Sequence, residues 1–359
     1  MPSTKGRVLV AMSGGVDSSV TAWLLKEQGY DCIGVTMKLY ENETIGRPKG
    51  HTCCSLEDVE DARSVARRMG IPYYVFNFTD DFSEKVIRHF VESYEQGRTP
   101  NPCIDCNRYL KFDRLYRRAR ELGCDFIATG HYARIVRSPD GRWQMKKAAD
   151  EKKDQSYVLY SLTQDQLAHT LLPLGDLDKA RVREIAEAQG FLNARKHDSQ
   201  DICFVPDGDY AAFLERYTGK SYPPGEFLDE AGNHLGTHRG IVRYTIGQRK
   251  GLGVSADEPL YVQRKDVDAN TVTLAPNRRL YRSELDGTDV NWLSIPRPEG
   301  PVSVTARTRY HQTEQPAVLT VTGPDRIHLA FEAPQRAISP GQAVVFYDGE
   351  NVLGGATIL

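Results

Sequence analysis

Short apolar runs alternate with amphipathic stretches in the first half of the chain, which predicts strands that alternate with helices. Residues 8–11 are all apolar, as expected for a strand that is buried on both faces. Further strands are predicted at residues 32–37, 72–77 and 125–129, and helices at residues 19–28, 55–69, 80–96 and 178–189. This alternation predicts a Rossmann-like parallel sheet covered by helices.

The pattern changes after about residue 207. One short helix is predicted at residues 210–217, followed by β sequence at residues 240–254 and 260–274 and by short strands throughout residues 288–359. Turns are expected at residues 268–270, 323–325 and 348–350. Short strands without helices favour small barrels. We therefore expect an α/β catalytic domain at residues 1–206, a central β domain at 207–279 and a C-terminal β barrel at 280–359.

Composition narrows the class of protein. No apolar run reaches membrane-spanning length, and residues 1–6 show no signal-peptide pattern, so we expect a cytoplasmic protein without a membrane partner. Seven scattered cysteines argue against a secreted disulfide framework. The net charge of -2 gives no global sign of nucleic-acid binding, but residues 98–120 contain seven Lys or Arg and two Asp. A basic face is therefore expected locally.

The string SGGVDS, directly after the first strand and before the first helix, predicts a phosphate site. Backbone N–H groups and a helix N-terminus converge there, and glycine allows an anion to approach closely. The loop lacks the Gly-Lys-Ser/Thr ending of a Walker loop. Ser13 and Ser18 offer hydroxyl donors, and Asp17 offers a carboxylate for Mg²⁺. The alternative is an ordinary strand-to-helix turn with Asp17 as the N-cap. The string resembles the loop of ATP pyrophosphatases.

A second candidate site lies in the stretch GRTPNPCIDCNRYLKF. Pro100 and Pro102 predict an extended loop, and a helix then begins with Cys103 and Cys106 one turn apart. A helix N-terminus and nearby basic residues favour the thiolate form, which predicts a reactive thiol. The alternatives are two structural thiols or half of a zinc site. Cys32, Cys53, Cys54 and Cys124 are assigned no role.

Other candidates are single residues. Met37 ends a strand beside the predicted nucleotide, where it either covers the adenine or is a plain core residue. His131 follows a strand whose carboxyl edge faces the same crevice, so it either touches substrate or phosphate or lies on the surface. Cys203 stands alone before a strand-like segment.

Several longer motifs identify a family. MSGGVDSS, the cysteine stretch, ATGHYAR, KDQSYVLY, DSQDICF, TIGQRKGLG, TRYHQ and PGQAVVFYDGE occur in this order. Along nearly its whole length the chain resembles the bacterial tRNA-specific 2-thiouridylases of the PP-loop ATP pyrophosphatase superfamily. The resemblance implies a pyrophosphatase domain, a small central β domain and a C-terminal β barrel. It also implies sulfur transfer to C2 of the wobble uridine, U34, of tRNAs for Lys, Glu and Gln.

The resemblance also implies roles for residues that match its motifs. ATP would be bound by Ala11, Met12, Ser13, Gly14, Gly15, Val16, Asp17, Ser18, Met37 and Gly130. Cys106 matches the nucleophile and Cys203 the persulfide cysteine, while Asn101, Pro102 and Cys103 match the contact to the target base. Contacts to tRNA match His131, Lys153, Asp154, Gln155, Arg309, Tyr310 and Gln342. Many family members have aspartate where this chain has Cys103.

The expected cofactors and partners follow. ATP with Mg²⁺ would activate the uridine oxygen, and a persulfide donor protein or cysteine desulfurase relay would supply sulfur to Cys203. An alternative is a [4Fe–4S] cluster bound by Cys103, Cys106 and Cys203. The partner is expected to be the tRNA anticodon arm, not DNA. Rival interpretations are an amide-forming ligase acting on a small metabolite and a non-catalytic RNA-binding protein.

Overall fold

The computed structural model describes residues 5–41, 56–196 and 202–359 of the chain. Cys53, Cys54, the first residue of the helix predicted at 55–69 and residues 198–201 of the DSQDICF motif lie outside the described residues. The strands are β1 Arg7–Ala11, β2 Asp31–Lys38, β3 Tyr73–Asn77, β4 Phe126–Ala128, β5 Arg134–Arg137, β6 Trp143–Lys146, β7 Thr170–Leu171, β8 Gly225–Leu228, β9 His234–His238, β10 Leu260–Asp266, β11 Thr271–Pro276, β12 Tyr281–Trp292, β13 Val302–Arg307, β14 Gln315–Gly323, β15 Arg326–Arg336, β16 Ala343–Asp348 and β17 Asn351–Ile358.

The helices are concentrated in the first 220 residues. They are α1 Val16–Glu27, α2 Leu56–Met69, α3 Thr79–Phe82, α4 Arg88–Glu95, α5 Pro102–Asp105, α6 Leu115–Glu121, α7 Gln164–Ala168, α8 Lys179–Ala188 and α9 Tyr210–Thr218. A π-helical turn at Ser83–Ile87 joins α3 to α4, and a second at Cys106–Arg114 joins α5 to α6. Among the described residues, no helix combines the length and apolar character needed to cross a bilayer.

The first sheet is parallel, with strand order β3-β2-β1-β4-β7. Its central strand β1 is covered on both sides, since Leu9 packs into one apolar cluster while Val8 and Val10 pack into another. The predicted Rossmann-like sheet is therefore confirmed. In such a sheet the crevice for ligands lies at the carboxyl edge where the strand order reverses, here between β1 and β4.

The other two sheets are mostly antiparallel. A four-stranded sheet has the order β10-β11-β8-β9, and six strands in the order β12-β15-β14-β13-β16-β17 close into a barrel through the pairing of β12 with β17. The expected small β unit and C-terminal barrel are confirmed. The predicted turns at residues 268–270, 323–325 and 348–350 connect β10 to β11, β14 to β15 and β16 to β17.

Three expectations about local structure are wrong. Helix α1 begins at Val16, three residues earlier than predicted, because Gly15 in an extended conformation is its N-cap. Residues 240–254 are not β: a short 3-10 helix at Ile241–Arg243 is followed by turns, since Gly251 and Gly253 adopt positive φ of 79° and 70°. The segment after Cys203 forms turns, not a strand.

The β5–β6 hairpin, which the sequence patterns did not predict, connects the part of the chain that forms the parallel sheet to the barrel. Strands β5 and β6 pair with each other, and β6 also pairs antiparallel with β17 through Val352 and Met145. Arg142 strengthens the junction by donating to the carbonyl oxygens of Trp292 and Ile295, at 3.0 and 2.8 Å. The barrel sheet is thus extended by β6, which precedes β17 by about 200 residues in the sequence. This pairing attaches the barrel to the N-terminal part of the chain.

Candidate active site

The loop between β1 and α1 closes through its own side chains. The Ser13 N–H donates to Ser18 Oγ at 3.2 Å, and the Ser18 hydroxyl donates to the Gly15 carbonyl oxygen at 3.0 Å. No side chain caps α1, and the first N–H groups of a helix have no partner within it. The arrangement leaves a helix N-terminus facing the crevice, as an anion-binding loop requires. The alternative in which Asp17 is the N-cap is wrong, because that position is held by Gly15.

Gly14 is required by close packing. Its φ is 76°, and a Cβ at this position would lie 2.7 Å from the Cα atom of Asp58 in α2. Asn193 supports the same loop from the other side. It is 3% exposed, and its Nδ2 atom donates to the Gly14 carbonyl oxygen and to Ser19 Oγ, both at 2.9 Å. The loop is therefore clamped between α2 and the segment that follows α8.

Asp17 faces two partners that sequence reasoning missed. The Lys179 ammonium lies 2.8 Å from both of its carboxylate oxygens, and the Tyr132 hydroxyl donates to Oδ1 at 2.7 Å. Lys179 opens α8, whose N-cap Asp178 accepts from the Arg181 N–H. The sequence places Lys179 at the start of a predicted helix, but this position alone does not indicate that Lys179 pairs with Asp17.

The loop after β4 packs directly on α1. A Cβ at Gly130 would lie 2.9 Å from the Asp17 carbonyl carbon and 3.0 Å from the Ser18 nitrogen. His131 is 8% exposed, so the alternative of a surface histidine is wrong. Its Nδ1 atom lies 2.7 Å from Thr129 Oγ1. Burial, and after it the charge of Lys111, lowers the pKa of His131 well below its usual value. A neutral imidazole can exchange hydrogen bonds with a base but provides no charge for a phosphate.

The predicted helix start at the cysteine stretch is confirmed. Asn101 is the N-cap of α5, and its side chain accepts from the Cys103 N–H at 3.1 Å, with Pro102 at the first helical position. Cys103 is exposed, whereas Cys106 is 8% exposed and belongs to the main apolar cluster. The two thiols of this pair therefore differ in access.

Cys203 packs against the same apolar cluster as Cys106, and its carbonyl oxygen accepts from the Tyr40 hydroxyl at 3.0 Å. Within the described residues, no three His, Cys, Asp or Glu side chains form a group that could hold a metal ion. The set Cys103, Cys106 and Cys203 therefore does not meet as the ligands of a cluster in this structure. Cys32 is buried in β2, where burial raises the pKa of its thiol to about 11, in keeping with the absence of an assigned role.

The residues predicted to contact tRNA split into two groups. Asp154 is 6% exposed and accepts from the Ala148 N–H at 3.0 Å and the Ser156 hydroxyl at 2.8 Å. Gln155 exchanges hydrogen bonds with the Tyr132 backbone, through its own N–H and its Oε1 atom. These two residues thus hold the loops of the crevice together, and their contact to RNA stays a prediction.

The second group comes from the barrel. The Tyr310 hydroxyl donates to the Asp154 carbonyl oxygen at 3.2 Å. Burial, and after it the charges of Asp154 and Cys103, raises the pKa of Tyr310. The barrel reaches the segment before the cysteines at Thr99, whose carbonyl oxygen accepts from Gln342 Nε2 at 2.7 Å. Arg309 donates to the carbonyl oxygens of Ile246 and Ala337, at 3.0 and 2.8 Å. Its guanidinium therefore ties the central unit to the barrel.

A connected series of contacts joins the two candidate sites. Asp17 accepts from the Tyr132 hydroxyl, and the Tyr132 backbone pairs with Gln155. The Gln155 carbonyl oxygen accepts from the Val158 N–H, and the Val158 carbonyl oxygen accepts from Asn107 Nδ2, next to Cys106, at 3.0 Å. The neighbouring Asp154 accepts from the Tyr310 hydroxyl of the barrel. Hydrogen bonds around residues 154–158 therefore link the phosphate loop, the cysteine loop and the barrel.

Much of the predicted basic stretch is paired. Arg114, Arg117 and Arg118 lie 3.0 Å or closer to Asp81, Asp113 and Glu121, respectively. Arg108 pairs with Asp289 of the barrel. The expected basic face is therefore partly neutralised by its own neighbours.

Family models match the chain in three consecutive parts. A model described as "tRNA methyl transferase HUP domain" matches residues 6–207, "tRNA methyl transferase PRC-barrel domain" matches 211–276, and "Aminomethyltransferase beta-barrel domain" matches 282–358. The domain limits predicted near Pro206 and Arg279 stay a prediction.

Curated relatives match nearly the full chain. The protein named tRNA-specific 2-thiouridylase MnmA of Clostridioides difficile is 51% identical over 353 residues, 98% of each chain. The protein of the same name from Desulforamulus reducens is 52% identical over 354 residues, covering 98% of this chain and 96% of the relative. A solved 4-thiouridine synthetase–RNA complex with bound ATP is 20% identical with a TM-score of 0.38, over 60% of this chain and 50% of that one.

Proposed function

This chain belongs to the family of tRNA-specific 2-thiouridylases, and we propose that it transfers sulfur to C2 of a tRNA uridine in an ATP-dependent reaction. By resemblance, the target is the wobble uridine U34 of tRNAs for Lys, Glu and Gln. The observation that supports this activity best is the series of hydrogen bonds that links the phosphate loop, the cysteine loop and the barrel. An amide-forming ligase would need no cysteine beside its nucleotide site.

The first step would activate the base. The C2 oxygen of the uracil attacks the α-phosphorus of ATP, and pyrophosphate leaves. The uncapped N–H groups at the start of α1 and the ammonium of Lys179 would stabilise its negative charge. Asp17 would hold Mg²⁺ together with the phosphates, since this ion commonly takes one carboxylate plus phosphate oxygens. When bound, Mg²⁺ supplies charge neutralisation to the pyrophosphate.

The second step would bring sulfur. A donor protein or cysteine desulfurase relay supplies a persulfide on Cys203, and its outer sulfur attacks C2 as AMP leaves. The Cys106 thiolate then attacks the Cys203 sulfur, releasing 2-thiouridine and forming a Cys106–Cys203 disulfide. An external reductant restores both thiols. In the other order, Cys106 attacks first and the released hydrosulfide attacks C2.

The persulfide route is favoured over the cluster route by the placement of the cysteines. Cys103 is exposed whereas Cys106 is buried, and no three His, Cys, Asp or Glu side chains form a metal-binding group among the described residues. In this route Cys103 stands where many relatives have aspartate, beside the target base, and carries no sulfur.

The tRNA anticodon arm would bind across the crevice and the barrel. The target base must leave its stack to reach the phosphate loop, as base-modifying enzymes require. His131, which is neutral and close to Lys111 and Phe112, is suited to bind a base edge by hydrogen bonding. Lys153 and the remaining basic residues would contact phosphates.

The decisive experiment is analysis of tRNA nucleosides by mass spectrometry. Unmodified tRNA is incubated with the protein, ATP and a persulfide donor, and 2-thiouridine at position 34 is expected. Omission of ATP and the Cys203→Ser variant should each abolish it. Product formed equally fast without ATP would refute the proposal, and AMP formation without tRNA would favour the ligase. Cys103→Ser should stay active with the persulfide donor; loss of activity together with loss of bound iron and sulfide would instead establish the cluster.

A further inference from the structure

Thr99, four residues before Cys103, is held by the barrel at both of its backbone groups. Its N–H donates to the Pro340 carbonyl oxygen at 2.8 Å, and its carbonyl oxygen accepts from Gln342 Nε2 at 2.7 Å. The two partners come from one turn, 340–342, which precedes β16. Because both bonds end on a single residue, they fix the direction of the chain as well as its position.

Gly341 lets the two segments come this close. Its φ is 87°, which favours glycine, and a Cβ here would lie 2.9 Å from Arg98 Cβ and 3.1 Å from the Thr99 nitrogen. A side chain at 341 would therefore push the cysteine loop away from the barrel.

The turn itself is fixed within the barrel. The Gly341 N–H donates to the Ile358 carbonyl oxygen at 2.9 Å, and the Ile358 N–H donates to the Gln342 carbonyl oxygen at 2.8 Å. Ile358 is the last residue of β17, the strand that closes the barrel. The turn is thus a rigid support for whatever binds to it.

The chain between this support and the thiol is stiff. Pro100 and Pro102 restrict the backbone, and Asn101 caps the Cys103 N–H. A constraint at Thr99 is therefore transmitted to the start of α5, which carries Cys103 and leads into Cys106.

We propose that Gln342 is a positioning residue for the cysteine loop, acting through Thr99 before any RNA is bound. The proposal rests on the proposed sulfur transfer, and it differs from the role implied by resemblance, in which Gln342 contacts tRNA. The distinction is measurable, because a residue that contacts RNA alone has no effect on the loop in the free protein.

The test compares Gln342→Met, which keeps the length of the side chain but removes the donor, with Gln28→Met, the same change at an exposed glutamine after α1. Hydrogen exchange of a peptide covering residues 97–106 is measured without tRNA or ATP, so the loop contact is tested separately from thiolation. Loss of one hydrogen bond should speed this exchange about fivefold in Gln342→Met and leave it unchanged in the control. In thiolation assays, kcat should fall about fivefold while the KM for tRNA changes less than about twofold.

Two outcomes would overturn the proposal. Unchanged exchange with a higher KM for tRNA would assign Gln342 to RNA contact alone. Faster exchange with an unchanged kcat would show that the order of the loop does not matter for the reaction. If circular dichroism shows that Gln342→Met does not fold, Gly341→Ala is the second variant. Its added Cβ would separate the same two segments while Gln342 stays in place. This variant should speed exchange of the 97–106 peptide and lower kcat.

Discussion

The Lys179 ammonium lies 2.8 Å from each carboxylate oxygen of Asp17, across 162 residues of sequence. Lys179 is 11% and Asp17 29% exposed in their side chains, so the pair is shielded at the wall of the phosphate loop. The Lys179 ammonium compensates the negative charge of the Asp17 carboxylate and places a cation beside the phosphate loop.

Replacing Asp17 by Ala should abolish adenylation but leave tRNA binding largely intact. The carboxylate is assigned to Mg²⁺ and pyrophosphate, and removal of one such electrostatic group costs on the order of 10²-fold or more in rate. Pyrophosphate release and tRNA affinity are the measurements. Tyr132→Phe, which removes only the hydrogen bond to Asp17, should cost about tenfold. Unchanged pyrophosphate release in Asp17→Ala would disprove the assignment.

Lys179→Met should raise the KM for ATP and slow pyrophosphate release, because the variant lacks the cation beside the phosphate loop. Lys179→Arg, which keeps the charge, should retain a substantial part of the activity. Steady-state pyrophosphate assays at varied ATP would show this. If both variants lose activity equally without a change in KM, the role of Lys179 is confined to orienting Asp17.

Asn193→Ala should loosen the phosphate loop. Loss of the bonds to Gly14 and Ser19 should lower the free energy of unfolding by about 2 kcal/mol, and the KM for ATP should rise. The control is Arg195→Met, which removes an exposed ion pair to Glu187 in the same segment but leaves both Asn193 bonds in place. Urea unfolding and ATP titration are the measurements. An equal rise in KM in the control would argue against a specific role for Asn193.

His131 should destabilise the fold at low pH. Its pKa is lower in the folded than in the unfolded protein, so the unfolded state binds a proton more readily. The contribution of neutral His131 to the free energy of unfolding is fully present above its pKa in the unfolded state, about 6.5. This contribution is lost as the pH falls toward its pKa in the folded state. The unfolding free energy of wild type minus that of His131→Asn should therefore decline between about pH 8 and pH 5. A His131 resonance that titrates near its usual pKa by NMR would contradict this.

Binding of tRNA should weaken steeply with salt despite the near-neutral chain. Six or more phosphate contacts would cost about 10³-fold in affinity between roughly 50 and 200 mM salt. Lys153→Ala should reduce the slope by about one. Arg114→Ala is the matched control, since Arg114 is paired with Asp81 at 3.0 Å. A flat salt dependence in wild type would mean that the basic segments do not meet RNA.

The sequence by itself determined the local elements of both candidate sites. The apolar run of β1 before Gly14 and Gly15 predicts a strand, a tight turn and a helix start, because these residues restrict their own backbone. Asn101 and Pro102 likewise predict the start of α5, since a cap and a proline at the first turn act within four residues. The order of motifs was enough to identify the family.

Only the tertiary structure decided which residues serve these elements from a distance. Lys179 at Asp17, Asn193 at Gly14 and Gln342 at Thr99 join segments that are far apart in sequence, and no local pattern specifies such partners. The pairing of the β5–β6 hairpin with β17 of the barrel likewise could not be predicted from a local pattern. A side chain's own sequence neighbourhood sets its backbone preference, but its hydrogen-bond partner depends on which surfaces pack together when the whole chain buries its apolar strands.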